Sequence, residues 1–213
     1  MDRSRIAIVI PAFNESKTIA QVVKSAKAFG NVIVVDDAST DTTSELALKG
    51  GATVVSHTKN RGYDGALNSG FLKASELECS IVITVDADGQ HNPSLIEQFL
   101  EAIEKGADVV VGIRSKKQRI SEHIFSWYTM IFFGIYDPLC GMKAYKMRIF
   151  HELGHFDSYK SIGTELMIFA LRNHYAVDQL GFQVNERDGK PRFGSIINSN
   201  TKIFRALFLT ICH

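Results

Sequence analysis

The chain of 213 residues is 45% hydrophobic and 22% charged, an ordinary globular balance. Its net charge of +1 excludes a general electrostatic drive onto nucleic acid. No apolar run reaches the ~20 residues that cross a bilayer, and three cysteines without a CxxC pair point to a reducing compartment rather than a disulfide framework.

The opening residues, MDRSRIAIVIPAF, carry two arginines and a short apolar run that Pro11 ends. They predict a first strand over Ile6–Ile10, not a signal peptide. Ile19, Val22, Val23, Ala26 and Phe29 then recur at helical spacing within 15–29, and Gly30 stops that helix. A buried strand follows at 32–35, a helix at 41–51 closed by two glycines, and a third strand at 53–57. The pattern continues with a helix at 65–77, a strand at 80–85, a helix at 92–106 and a strand at 108–112.

Continuous apolar strands alternating with amphipathic helices imply a parallel sheet covered on both faces. The predicted fold is therefore α/β, a mostly parallel doubly wound sheet in one domain over 1–213. Residues 1–112 form its ligand-binding half and 113–213 an acceptor-side extension. In such sheets ligands collect beyond the carboxyl ends of the strands. Pro11, Asp36, Asp37, Asp86 and Asp88 all stand at those ends.

The run VITVDADGQH carries the strongest chemical signal. Carboxylates at the end of a greasy strand are costly to bury unless a cation offsets them. Asp88 and the amide oxygen of Gln90 suit a hard divalent cation whose remaining oxygens come from a diphosphate and water. The competing interpretation is a solvated turn in which an Asp caps the next helix. Asp36 and Asp37 can accept from the base or ribose of a nucleotide, and Phe13 offers a base a flat apolar face. Neither a GxGxxG nor a GxxxxGK[ST] motif occurs, which argues against a dinucleotide or P-loop site.

The segments VIPAFNE, VIVVDDASTDTT, NRGYDGALNSG and VDADGQHNP, in this order and spacing, resemble the family-2 glycosyltransferases of the A-type fold. With GIR, DPLCGMKAYK and ERDGKPRFG, the chain is most similar to the dolichyl- and polyprenyl-phosphate sugar synthases. That resemblance implies inverting transfer from a UDP- or GDP-sugar, with Mg²⁺ or Mn²⁺. It implies that Pro11, Phe13, Glu15, Asp36 and Asp37 hold the nucleoside. Asp86, with Ala87 beside it, would meet the substrate, while Asp88 and Gln90 hold the metal and Arg114 binds substrate. Arg187 and Arg192 match late basic residues that grip the diphosphate, although many members have Lys where this chain has Arg192.

A phosphate acceptor is already anionic, whereas a hydroxyl acceptor needs a base to remove its proton. The acidic pair that serves hydroxyl-transferring relatives is reduced here to Glu165 in GTELM, which tilts the expectation towards a polyprenyl phosphate. Glu165 remains the candidate catalytic carboxylate of this half, the base if the acceptor is a hydroxyl, with a sugar-binding or structural role as its alternatives. The basic cluster Lys116, Lys117 and Arg119 precedes Phe125, Trp127, Ile131 and Phe132. That segment suits a peripheral contact with the inner face of the membrane, from the cytoplasm, or equally a core helix. The tail from Lys202 to Ile211 suits a second interfacial helix or a homo-oligomer contact. His151 and His155 are expected as a surface pair, and Cys140 as packing. Transfer to a saccharide hydroxyl, a non-catalytic nucleotide-sugar or lipid-binding module, and a nucleotidyltransferase are the rival functions.

Overall fold

The computed structural model describes residues 1–89, 94–115, 119–183 and 196–212, the side chains of 196–199 and 212 excepted. Seven strands form one sheet in the order β3-β2-β1-β4-β6-β5-β7. They are β1 (Ile6–Ala12), β2 (Asn31–Asp36), β3 (Thr53–Ser56), β4 (Ile81–Thr84), β5 (Val109–Arg114), β6 (Lys143–Lys146) and β7 (Val177–Phe182). All run parallel except β6, which lies antiparallel between β4 and β5. The doubly wound α/β expectation therefore holds, with one strand reversed.

The five apolar runs of the first half became β1 to β5 because both their faces are covered. Ile8 and Ile10 point into one core with Val34, Ile83 and Phe99, while Ala7 and Val9 point into the other with Ile33, Phe71 and Tyr145. This alternation is the two-residue period of a strand read on both faces. α1 (Ile19–Ala26), α2 (Thr43–Lys49) and α4 (Ser94–Glu104) cover the first face. α3 (Gly62–Glu76), α6 (Met147–Leu153) and α7 (Glu165–Arg172) cover the second. α5 (Ile120–Phe133) and α8 (Ile196–Cys212) pair with each other around Phe125, Ile203 and Ala206.

Two differences from the sequence pattern matter for the site. The helix expected from Glu15 starts at Ile19, because residues 15–18 form a turn in which Thr18 and Ile19 N–H both donate to the Glu15 carbonyl. The four-residue β6, KAYK, shows no apolar run, yet Lys143, Ala144 and Tyr145 are all buried. Thr84 makes it a strand: its Oγ1 donates to Gly141 O at 2.6 Å and accepts the Lys143 N–H at 3.1 Å.

Candidate active site

The carboxyl ends of β1, β2, β4 and β5 meet along one rim. Ala12 pairs with Asp36 across β1 and β2, and Val9 with Thr84 across β1 and β4. Past that last pair Asp86 leaves the sheet, while Pro11 stays within β1, paired with Val35 of β2. Pro11 is buried, whereas Phe13 is 40% exposed and free to present its ring.

A set of short polar contacts fixes the loop after β1. Asn14 takes a left-handed backbone (φ 55°), its N–H donates to Ser39 Oγ, and its Oδ1 accepts the Thr40 N–H. The Glu15 N–H donates to Thr43 Oγ1 at 2.7 Å. Thr18 Oγ1 donates to the Ala87 carbonyl at 2.7 Å and contacts Glu15 Oε2 at 3.2 Å. The loop after β1 and the Asp86–Asp88 loop are thus joined through one threonine hydroxyl. Ala87 is buried, and Asp86 and Asp88 on either side of it are half-buried. Gly89 turns the chain with φ +75°.

The neighbouring acids Asp36 and Asp37 have separate surroundings. Asp36 Oδ1 accepts the Ser39 N–H at 3.2 Å at the rim. Asp37 faces α3 instead: its carboxylate accepts the Arg61 and Gly62 N–H groups at 2.7 and 2.8 Å and lies 2.7 Å from His57 Nδ1. A carboxylate at a helix N-terminus satisfies amides that lack intrahelical partners. His57 in turn reaches Ser69 Oγ through Nε2 at 2.8 Å.

At the other end of the rim, Arg114 is gripped rather than loose. Its Nε and Nη2 donate to the two oxygens of Asp137 at 2.8 and 2.9 Å, and Nη2 lies 3.4 Å from Glu122 on α5. Arg119 holds the second oxygen of Glu122 at 2.8 Å. The bidentate fork to Asp137 orients the guanidinium, and the Glu122 contact joins the end of β5 to α5. Cys140, fully buried beside it, has its thiol pushed up to about 12 by burial and by Asp137, which fits packing rather than reactivity.

Glu165 opens α7, and its carboxylate is engaged within the protein. Ser158 N–H and Oγ donate to it at 2.5 and 2.9 Å, and His155 Nε2 lies 2.7 Å away. His151 instead reaches Ser75 Oγ, so the two histidines serve separate contacts. Gln90, Lys116, Lys117, Arg187 and Arg192 lie outside the described residues.

Sequence reasoning missed a further polar group near Asp86, on the α3 face. It comprises Tyr63, Asp64, Lys143 and Asp157. Burial raises the Tyr63 phenol, with Asp86 and Asp64 adding to it. Asp64 is pushed up to about 7 by burial and then by Asp157. Burial pulls the Lys143 ammonium down, and nearby Asp137 and Asp86 oppose that. Tyr63 and Asp64 open α3, while Lys143 and Asp157 come from two other segments, so no spacing rule joins them. The weak signal was a lysine between apolar neighbours in MKAY.

The donor set fits a hard divalent cation only with help. Among the described residues no group of three or more His, Cys, Asp or Glu side chains could hold a metal. Asp86 and Asp88 offer carboxylate oxygens at the rim, and a cation there needs its remaining oxygens from phosphate and water, the habit of Mg²⁺.

Comparison with known proteins agrees with this geometry. An uncharacterized protein of Methanocaldococcus jannaschii is 43% identical over 117 residues, 54% of this chain and 48% of that protein, so this match spans about half of each. A UDP-N-acetylglucosamine–dolichyl-phosphate N-acetylglucosaminyltransferase of Methanococcus voltae is 26% identical over 96% of this chain and 95% of its own. Among solved structures, glucosyl-3-phosphoglycerate synthase from Mycobacterium tuberculosis, in complex with Mg²⁺ and UDP, superposes with a TM-score of 0.77. That match covers 97% of this chain and 79% of the other at 21% identity, a likeness of fold. The model of glycosyl transferase family 2 matches residues 7–181, most of the sheet and its rim, and the chain belongs to that family.

Proposed function

We propose that this glycosyltransferase moves a sugar, with inversion, from a UDP- or GDP-sugar to a polyprenyl-type lipid phosphate, with Mg²⁺ or Mn²⁺. One observation carries the lipid acceptor. The helix that fixes Arg114 through Glu122 also exposes a broad apolar face, with Trp127 64%, Ile131 51% and Phe132 65% exposed. α8 packs beside it and adds Phe204, Phe208 and Ile211. An arginine suited to phosphate thus stands next to a surface suited to acyl chains. The methanococcal relative named for a dolichyl-phosphate acceptor supports the same direction. Among the described residues no helix is long and apolar enough to cross a membrane. The contact proposed here is peripheral, at the cytoplasmic leaflet.

In this scheme Phe13 stacks on the base, and Asp36 accepts from base or ribose. Asp37 holds the turn that carries α3. Asp86 faces the donor sugar, and Asp88, with Gln90, supplies the metal side. Negative charge grows on the leaving diphosphate as the glycosidic bond breaks. A bound divalent cation neutralises part of that charge. Arg187 and Arg192 are assigned to the same diphosphate, where guanidinium groups give paired contacts. The acceptor phosphate attacks as an anion, so no side chain has to take a proton from it.

A second acceptor remains in contention on one specific contact. A histidine held by a carboxylate, as His155 is by Glu165, is the arrangement of a general base. It favours a saccharide hydroxyl.

The test is turnover of UDP- and GDP-sugars with a short-chain prenyl phosphate or a free saccharide, with and without EDTA, scored by the nucleotide released. Nucleoside diphosphate released in step with glycosylated prenyl phosphate is expected, with Asp88→Ala inactive and folded. Pyrophosphate release, or binding without turnover, would overturn the reading.

A further inference from the structure

Lys143 is buried, 3% exposed, in the reversed strand between β4 and β5. Its ammonium donates to the Gly163 carbonyl at 3.1 Å, and no ion pair to a carboxylate accompanies that bond among the described residues. An ammonium has three donors and a full charge, so a buried one with a single carbonyl partner needs negative charge close by. Asp86 and Asp137 are near enough to interact with it electrostatically, Asp64 likewise, and Arg114 opposes them.

Its backbone is fixed to the donor side. The Lys143 N–H donates to Thr84 Oγ1, and the same hydroxyl donates to Gly141 O. Thr84 lies two residues before Asp86. Gly141 lies against the Asp86 carboxylate so closely that a Cβ there would come within 2.6 Å of Oδ1 and 2.7 Å of Cγ. The turn that enters the reversed strand therefore gives the rim carboxylate its seat.

The ammonium is fixed to the other side. Gly163 belongs to the loop 157–164, which winds around one buried carboxylate. Asp157 accepts the N–H of Ser161 and Gly163 and the Ser161 hydroxyl. Lys160, Ile162 and Gly163 all have left-handed backbone, with φ of 60°, 59° and 69°. The loop leads directly into Thr164 and Glu165, whose N–H groups are received by Ser161 Oγ. One residue, by its backbone N–H on one side and its ammonium on the other, thus ties the end of β4 to the loop that leads into α7.

We propose that Lys143 is a positioning residue for sugar transfer: from within the sheet it holds the Asp86 rim in register with the acceptor-side loop 157–164. The inference rests on the proposed function, in which Asp86 faces the donor sugar. Lys143 itself touches no substrate. Its loss should leave the nucleoside subsite at Phe13 and Asp36 intact while misaligning the sugar with its acceptor.

The experiment compares wild type with Lys143→Met, which keeps side-chain length and removes the charge. kcat should fall roughly 10- to 100-fold, the scale seen when a group supporting a ligand-binding side chain is removed. Calorimetric affinity for UDP or GDP, whichever wild type binds, should be unchanged. A folded Lys143→Met enzyme with wild-type kcat overturns the inference. Lys143→Met combined with Asp64→Asn, assayed at pH 8 where the Asp64 carboxyl is ionised, removes one charge of each sign and serves where the single variant does not fold. Slow turnover in the double variant supports positioning. Wild-type turnover there shows that Lys143 only balances charge in the core, and overturns it. Wild-type turnover of a nucleotide-sugar is the control: if it is absent, the proposed function falls and this inference with it.

Discussion

Asp64 has one carboxyl oxygen, Oδ1, buried without a hydrogen-bond partner. Burial, and then Asp157, raises its pKa from 3.8 to about 7. The folded protein therefore holds this proton more tightly than the unfolded chain does. Stability from this group is complete below 3.8 and is lost as pH rises through about 7. Asp64→Asn carries no charge at any pH. Its thermal midpoint relative to wild type should be more favourable at pH 8 than at pH 5, and a gap that does not change with pH would contradict the buried proton. Glu165 supports a separate expectation. Glu165→Gln keeps the shape of the contacts with Ser158 and His155 but removes the charge. With a lipid phosphate as acceptor, kcat should fall far less than the ~10²–10⁴-fold that general acid–base catalysis supplies. A loss of that full size would move the assignment to a hydroxyl acceptor, with His155 and Glu165 as its base.

At the scale of elements, α3 lies close on β1 and β2 because Gly70 has no side chain. A Cβ at Gly70 would press on Val9 Cγ1 and come within 3.3 Å of Val35 Cγ2. Gly70→Ala should therefore destabilise the fold by about 1–3 kcal/mol, the usual cost of overpacking, read as a lower denaturant midpoint at unchanged slope. The strands this helix covers were plain in the sequence, since long β-branched runs such as IAIVI and VIVV allow little else. The rim acids were legible for the same reason, as each follows such a run. KAYK was not, because its burial depends on Thr84 and on strands on either side of it. Nor was the orientation of Asp37, which two amides of a distant helix end and His57 decide. The polar cluster of Asp64, Lys143 and Asp157 is long-range in the same way, so hydrophobic periodicity carries no trace of it.

At the scale of the molecule, α5 and α8 place their apolar residues on the outside. Trp127, Phe132 and Phe208 are each about two-thirds exposed, at 64%, 65% and 64%. Exposed aromatic residues grouped on adjacent helices mark a docking surface rather than a scatter of ordinary surface residues. The occupant proposed for it is the membrane interface, whose depth suits Trp. Trp127→Ala with Phe132→Ala should lose sedimentation with anionic vesicles and slow transfer to long-chain prenyl phosphate, while a short soluble analogue is used at the wild-type rate. Equal loss on both acceptors would mean that these residues support the fold instead.

The place of β6 also bears on how the protein is made. β5 joins the sheet only through β6 and β7, and both are synthesised after α5. A nascent chain that has reached Gly112 can pair β3, β2, β1 and β4, but the open edge of β4 has nothing to receive and β5 has nowhere to attach. Exposed edges of this kind recruit other chains. Release from the ribosome before Lys146 should therefore give self-associating or proteolysed fragments, because β5 reaches its native place only once a four-residue strand has inserted between it and β4, both made earlier.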